Sequence, residues 1–149
     1  VSKLAQAFGC KVIAWNRTSK DVEGVTLVDK ETLLKESDII TLHIALNEET
    51  RDFITAKEIN MMKPSTIIIN AARGPIINTN DLAEALRNSR ISGAALDVFD
   101  SEPPLEKSNP LLDLPNTMLM PHIGFATEEA FELRLDIVVK NVEKFVKTC

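Results

Sequence analysis

The sequence predicts an α/β fold built on a doubly wound parallel sheet, and three observations carry that prediction. Short β-prone runs alternate with amphipathic helical segments along all 149 residues. The run Ile39 to Leu46 is almost continuously apolar, which suits a strand covered on both faces. Polar clusters fall just past the runs: Asn16 with Arg17, Ala71 to Gly74, Asp97 to Glu102, and His122 with Gly124. Ligands bind such sheets at the carboxyl ends of the strands, so these clusters are the candidate functional residues.

The elements follow in order. Val1, Leu4, Ala5 and Phe8 recur at helical spacing, and Gly9 stands where a helix end wants a left-handed residue. Lys11 to Asn16 (KVIAWN) and Val25 to Val28 read as short strands, the first running into the polar stretch RTSKD. Asp29 caps a helix carrying Leu33 and Leu34. Thr55 and Glu58 have capping-box spacing before Ile59 and Met62, and Lys63 with Pro64 closes that helix. Thr66 to Asn70 (TIIIN) is a buried strand. Asn80 can cap a helix bearing Leu82, Ala85 and Leu86, after which Gly93 to Phe99 is another strand. Beyond the proline-bearing loop Asp100 to Asn116, TMLMP leads to a last helix opening at Thr127. Its stripe Phe131, Leu135, Val138, Val142 and Phe145 has the helical period. Glu128 and Glu129 suit the positive end of the helix dipole, and Lys140, Lys144 and Lys147 the negative end.

Composition narrows the function. Hydrophobic residues make up 44% and charged residues 26%, an ordinary globular balance for one domain. A formal charge of -5 argues against a grip on nucleic acid. Cys10 and Cys149 form no CxxC pair, so neither a disulfide framework nor a metal site is expected, and a reducing cytoplasm fits. The longest apolar run is far too short to span a membrane. Val1 is not methionine and no leader pattern follows, so the expectation is a chain cut from something longer.

Each polar cluster has two readings. Arg73, in NAARGP, can grip a carboxylate bidentately or close a turn structurally. His122, after TMLMP, can exchange a proton near neutral pH if a carboxylate holds it, or sit hydrogen-bonded in a strand-end turn. Glu102, in SEPP, can supply that carboxylate or be a solvated loop glutamate. Asp97 ends a small-residue run, and its charge needs donors from a ligand amide or a helix N-terminus. Arrival at successive strand ends favours one crevice that collects all of them.

NAARGP, GAALDVFDSEPP and PHIGFAT, in this order and spacing, resemble the signatures of the D-isomer-specific 2-hydroxyacid dehydrogenases in their Rossmann-type nucleotide-binding domain. The resemblance covers nearly the whole chain. It implies that Arg73, Glu102 and His122 are the catalytic arginine, glutamate and histidine. It also implies that Asp97 binds the nicotinamide carboxamide, and that backbone around Ile44, Ala71, Ala72, Arg73, His122 and Gly124 lines the cofactor. The implied reaction is reversible hydride transfer between a nicotinamide ring and C2 of a 2-hydroxy or 2-keto acid, in a homodimer.

The chain departs from that family at three points. The Gly-rich turn that precedes the first helix is absent, since the glycines stand at 9, 24, 74, 93 and 124. The expected fold therefore lacks the first strand and its turn, leaving KVIAWN and IITLHIAL unpaired toward each other. Residues 1–149 are read as a partial dinucleotide-binding domain carrying the catalytic residues, with the substrate domain absent. Where NAD-preferring relatives place an acidic residue after the second strand, this chain has Asn16, followed by Arg17, Thr18 and Ser19. That pattern favours NADP over NAD, because Arg17 can pair with a 2′-phosphate and the hydroxyls can donate to it. Ala45 replaces a proline common in relatives, which bears on loop shape.

The expected function is thus part of an oxidoreductase acting on a small 2-keto or 2-hydroxy acid, with glyoxylate or hydroxypyruvate favoured. A phosphoglycerate-type dehydrogenase is the alternative enzyme. An NAD(H)-sensing corepressor-like binding module is the alternative from another class, and a segment inactive in isolation is the plainest one.

Overall fold

The computed structural model describes residues 1–18 and 21–147; Ser19, named above beside the ribose position, and Cys149 lie outside them. The elements are α1 (Ser2–Ala7), β1 (Val12–Ala14), β2 (Val25–Leu27), α2 (Lys30–Glu36), β3 (Ile39–Leu42), α3 (Ala56–Ile59), β4 (Ile67–Asn70), α4 (Thr79–Arg87), β5 (Gly93–Leu96), β6 (Thr117–Leu119) and α5 (Glu128–Val146). A single 3-10 turn, Gly74–Ile76, separates β4 from α4. Every strand pair is parallel, in a two-stranded sheet β1-β2 and a four-stranded sheet β3-β4-β5-β6. This is the alternating, Rossmann-like α/β architecture that the sequence predicts. β1 and β3 fall in different sheets and each is an open edge.

Local chemistry sets the helix ends. Asp29 accepts the Thr32 amide at 2.8 Å, and Thr55 and Glu58 complete the capping box. Thr127 accepts the Ala130 amide at 3.2 Å. Gly9, just past α1, has φ 80, a left-handed value that costs a residue without Cβ nothing. The cap of α4 is Asn78 rather than Asn80. Asn78 keeps extended backbone and accepts the Asp81 amide at 3.1 Å, whereas Asn80 already lies inside the helix.

The strands are shorter than their apolar runs. β3 stops at Leu42 instead of Leu46 because its ladder partner β4 ends at Asn70, directly opposite. β5 likewise stops at Leu96, short of Phe99. Ile40 and Leu42 point into the core with Ile68 and Leu96, under Leu34 of α2, Ile59 of α3, and Leu82 and Leu86 of α4. The other face differs from expectation: β3 is covered on one side only, and Ile39 is 58% exposed. Neither α1 nor α5 buries a residue. The predicted apolar stripe of α5 is present as a pattern but lies in solvent, from 54% exposure at Phe131 to 70% at Phe145. No helix among the described residues is long and apolar enough to cross a membrane.

Candidate active site

β4 ends in a buried asparagine that shapes the loop after it. Asn70, 1% exposed, donates from Nδ2 to the Arg73 carbonyl at 2.9 Å and accepts the Ala72 amide at 3.0 Å. Ala71 is exposed and Ala72 half-buried on that loop. The Arg73 side chain is exposed; its Nη1 donates to the Ala72 carbonyl at 2.6 Å, and it makes no ion pair among the described residues. Its positive charge therefore stays uncompensated at the carboxyl end of a parallel strand, where a ligand carboxylate is the natural counter-charge.

Asp97 follows β5 and ties it to the loop after β6. Its Oδ1 accepts the Ile123 amide at 2.8 Å and its Oδ2 the Gly124 amide at 2.7 Å. Its donors are therefore loop amides, not a helix N-terminus. A Cβ on Gly124 would stand 2.8 Å from Oδ2, so glycine is what permits the approach. Each carboxylate oxygen still has acceptor capacity for one further donor.

His122 sits in this same loop with φ 54, a left-handed conformation that histidine tolerates better than most residues. Its Nδ1 lies 2.8 Å from Glu102 Oε1, with the two side chains 38% and 21% exposed. A carboxylate only accepts, so Nδ1 carries the hydrogen and Nε2 is the nitrogen left for another partner. Phe125 meets the imidazole edge-on at 5.7 Å, and the Arg134 guanidinium lies 5.0 Å from the Phe125 ring.

The remaining predicted residues lie at other strand ends. Ile44, past β3, is half-buried against the core. Past β1, Asn16 Nδ2 donates to the Thr18 carbonyl at 2.9 Å and approaches Thr18 Oγ1 at 3.5 Å. Arg17 Nη1 pairs with Glu49 Oε2 at 3.0 Å, so this arginine is not a bare turn residue. The structure thus joins Glu102 to His122 and Asp97 to Gly124 directly. It hangs Arg73, Asp97 and His122 from the neighbouring strands β4, β5 and β6, while Asn16, Arg17 and Thr18 follow β1 in the other sheet. Sequence reasoning missed Asn70 and Glu49. For Asn70 the signal was a polar residue closing an otherwise isoleucine strand; for Glu49 there was none. Among the described residues no group of three or more His, Cys, Asp or Glu is placed to hold a metal ion.

The site suits proton exchange beside an anion. A carboxylate fixes one imidazole nitrogen, the other is open, and an arginine without an ion pair among the described residues follows the strand two places away in the sheet.

Known proteins resemble this chain over nearly its whole length. The chain is 46% identical over 151 residues to the glyoxylate reductase of Thermococcus litoralis, covering 99% of this chain and 45% of that protein. It is 42% identical over 152 residues to the D-3-phosphoglycerate dehydrogenase of Methanocaldococcus jannaschii, covering 99% of this chain and 29% of the relative. An acyclic imino acid reductase solved in complex with NADPH and D-Arg superposes with a TM-score of 0.88 at 35% identity, over 99% of this chain and 47% of that one. The chain therefore spans half or less of the length of these relatives. The family model described as D-isomer specific 2-hydroxyacid dehydrogenase, NAD binding domain, matches residues 1–124. With the strand order and strand-end residues above, that match places the chain in the D-isomer specific 2-hydroxyacid dehydrogenase family, as its NAD-binding domain.

Proposed function

We propose that residues 1–149 are the nucleotide-binding part, carrying the catalytic residues, of a 2-keto acid reductase that acts on glyoxylate or hydroxypyruvate and prefers NADP. The single observation that carries this reading is the 2.8 Å contact between His122 Nδ1 and Glu102 Oε1 at the end of β6. The substrate domain and the Gly-rich pyrophosphate cradle belong to chain outside these residues, and the working protein is a homodimer in the cytoplasm. Cofactor affinity of this segment alone is expected to be weak, because no helix-start glycine turn within it can wrap the pyrophosphate.

A nicotinamide held by these residues would supply the hydride for the keto carbon. His122, as imidazolium, gives the Nε2 proton to the keto oxygen, while Glu102 holds the ring and stabilises its charge. Arg73 binds the substrate carboxylate and offsets charge growing on the oxygen. Asp97 orients the nicotinamide through its remaining acceptor positions, and the Asn70 clamp keeps the Arg73 loop in place. Arg17, with Thr18 and Ser19, answers a 2′-phosphate.

The test is steady-state reduction of glyoxylate and hydroxypyruvate by the full-length protein with NADPH and NADH. Turnover favouring NADPH is expected; no turnover of either acid removes the reading. Asn16→Asp combined with Arg17→Pro is expected to shift the kcat/KM ratio toward NADH. A phosphoglycerate-type dehydrogenase is the second reading, supported by the likeness to the Methanocaldococcus enzyme, and 3-phosphohydroxypyruvate as the preferred substrate would establish it.

A further inference from the structure

Arg17 and Glu49 sit in the loops that follow β1 and β3, strands in separate sheets, and their side chains meet at 3.0 Å. Both are about three-quarters exposed, at 75% and 74%, and among the described residues this is the contact recorded for the guanidinium. Glu49 is not a loosely tethered partner. Its turn is locked by Asn47 and Thr50: the Asn47 amide donates to Thr50 Oγ1 at 2.8 Å, and the Thr50 amide to Asn47 Oδ1 at 3.0 Å. Thr50 Oγ1 in turn donates to the Ala45 carbonyl at 2.7 Å. A carboxylate on a braced turn thus faces Arg17, the arginine that the NADP reading assigns to a 2′-phosphate.

We propose that Glu49 is a specificity-determining residue: it competes with the cofactor's 2′-phosphate for Arg17 and so tempers the preference for NADP over NAD. The inference rests on the NADP reading above. The physical basis is that Glu49 occupies Nη1 and offsets the guanidinium charge, so a phosphate dianion meets a neutralised arginine with a like charge beside it. When the phosphate takes Arg17, Glu49 must swing away, or remain as a like charge beside it. An exposed ion pair is weak, so the effect is a modulation and not a block.

The experiment is calorimetric titration of the full-length protein with 2′,5′-ADP and with 5′-AMP, which lacks the 2′-phosphate. Glu49→Gln is expected to tighten 2′,5′-ADP by roughly two- to fivefold, with 5′-AMP unchanged. Arg17→Ala is expected to weaken 2′,5′-ADP by about tenfold and to abolish the gain from Glu49→Gln in the double variant. If Arg17→Ala weakens 2′,5′-ADP while Glu49→Gln leaves it unchanged or weaker, the role of Glu49 is overturned and the NADP reading stands. If Arg17→Ala leaves 2′,5′-ADP unaffected, the NADP reading itself fails and takes this proposal with it.

Discussion

His122 Nδ1 lies 2.8 Å from Glu102 Oε1 although the residues are 20 positions apart, so the loop between β5 and β6 delivers a carboxylate to an imidazole in the loop after β6. Replacing His122 by Gln removes the proton donor and is expected to lower kcat of the full-length enzyme by about 100-fold or more. Cofactor affinity, followed by NADPH fluorescence, should change little. Glu102→Gln keeps the ring in place but removes the charge, and a smaller loss in kcat than that of His122→Gln is expected. Undiminished turnover in His122→Gln would take the histidine out of the chemistry.

The Asn70 clamp makes a separable prediction. Asn70→Ala strips two hydrogen bonds from a residue that is 1% exposed and leaves the Ala72 amide and Arg73 carbonyl without that partner. A loss of about 2 kcal/mol in stability is expected, measured by urea unfolding. KM for the keto acid should rise more than KM for the cofactor, because Arg73 is the group set adrift.

Gly124→Ala tests the Asp97 contact. The added methyl would stand 2.8 Å from Oδ2, forcing the carboxylate or the turn to move. Weaker cofactor binding is expected, with the melting temperature falling by a few degrees, about 1 kcal/mol of stability. Wild-type affinity in this variant would mean that the turn absorbs the methyl freely.

Acid stability follows from Glu58, in the first turn of α3. Burial pushes its carboxyl upward, but hydrogen bonds from the Thr55 hydroxyl and the Lys30 ammonium outweigh burial and hold it below the ordinary glutamate range. A depressed folded-state value stabilises the fold above the unfolded glutamate pKa of about 4.3, and that contribution disappears as pH falls through the depressed value. Glu58→Gln is expected to cost about 1 to 2 kcal/mol at neutral pH and to flatten the decline in stability below about pH 4. Thermal melts from pH 3 to pH 7 measure both.

Helix starts were legible wherever a single side chain decides them, as at Asp29, Thr55 and Thr127. Asn78 and Asn80 are the same residue type two positions apart, and only backbone geometry selects the first. Strand ends were not legible from their own residues, because Leu42 ends β3 only when Asn70 opposite it ends β4. The strand-end placement of Arg73, Asp97 and His122 was readable from apolar runs followed by polar residues. The Asp97 contacts to Ile123 and Gly124 were not, since they join residues 26 and 27 positions apart through the sheet. Glu49 was invisible for the same reason, lying 32 positions from Arg17.

Because Arg73, Asp97 and His122 follow three strands laid side by side, their spacing depends on how those strands are aligned as well as on the local contacts of Asp97 and His122. Gly93, Ala94 and Ala95 of β5 are the shims of that alignment, and a Cβ on Gly93 would press to 3.0 Å on the Asn116 carbonyl. Bulky replacements there would wedge β6 away from β4 and carry the imidazole with it. Mutational scanning should therefore find an inner ring of activity-sensitive positions, far from any ligand, wherever a small side chain keeps neighbouring strands in step.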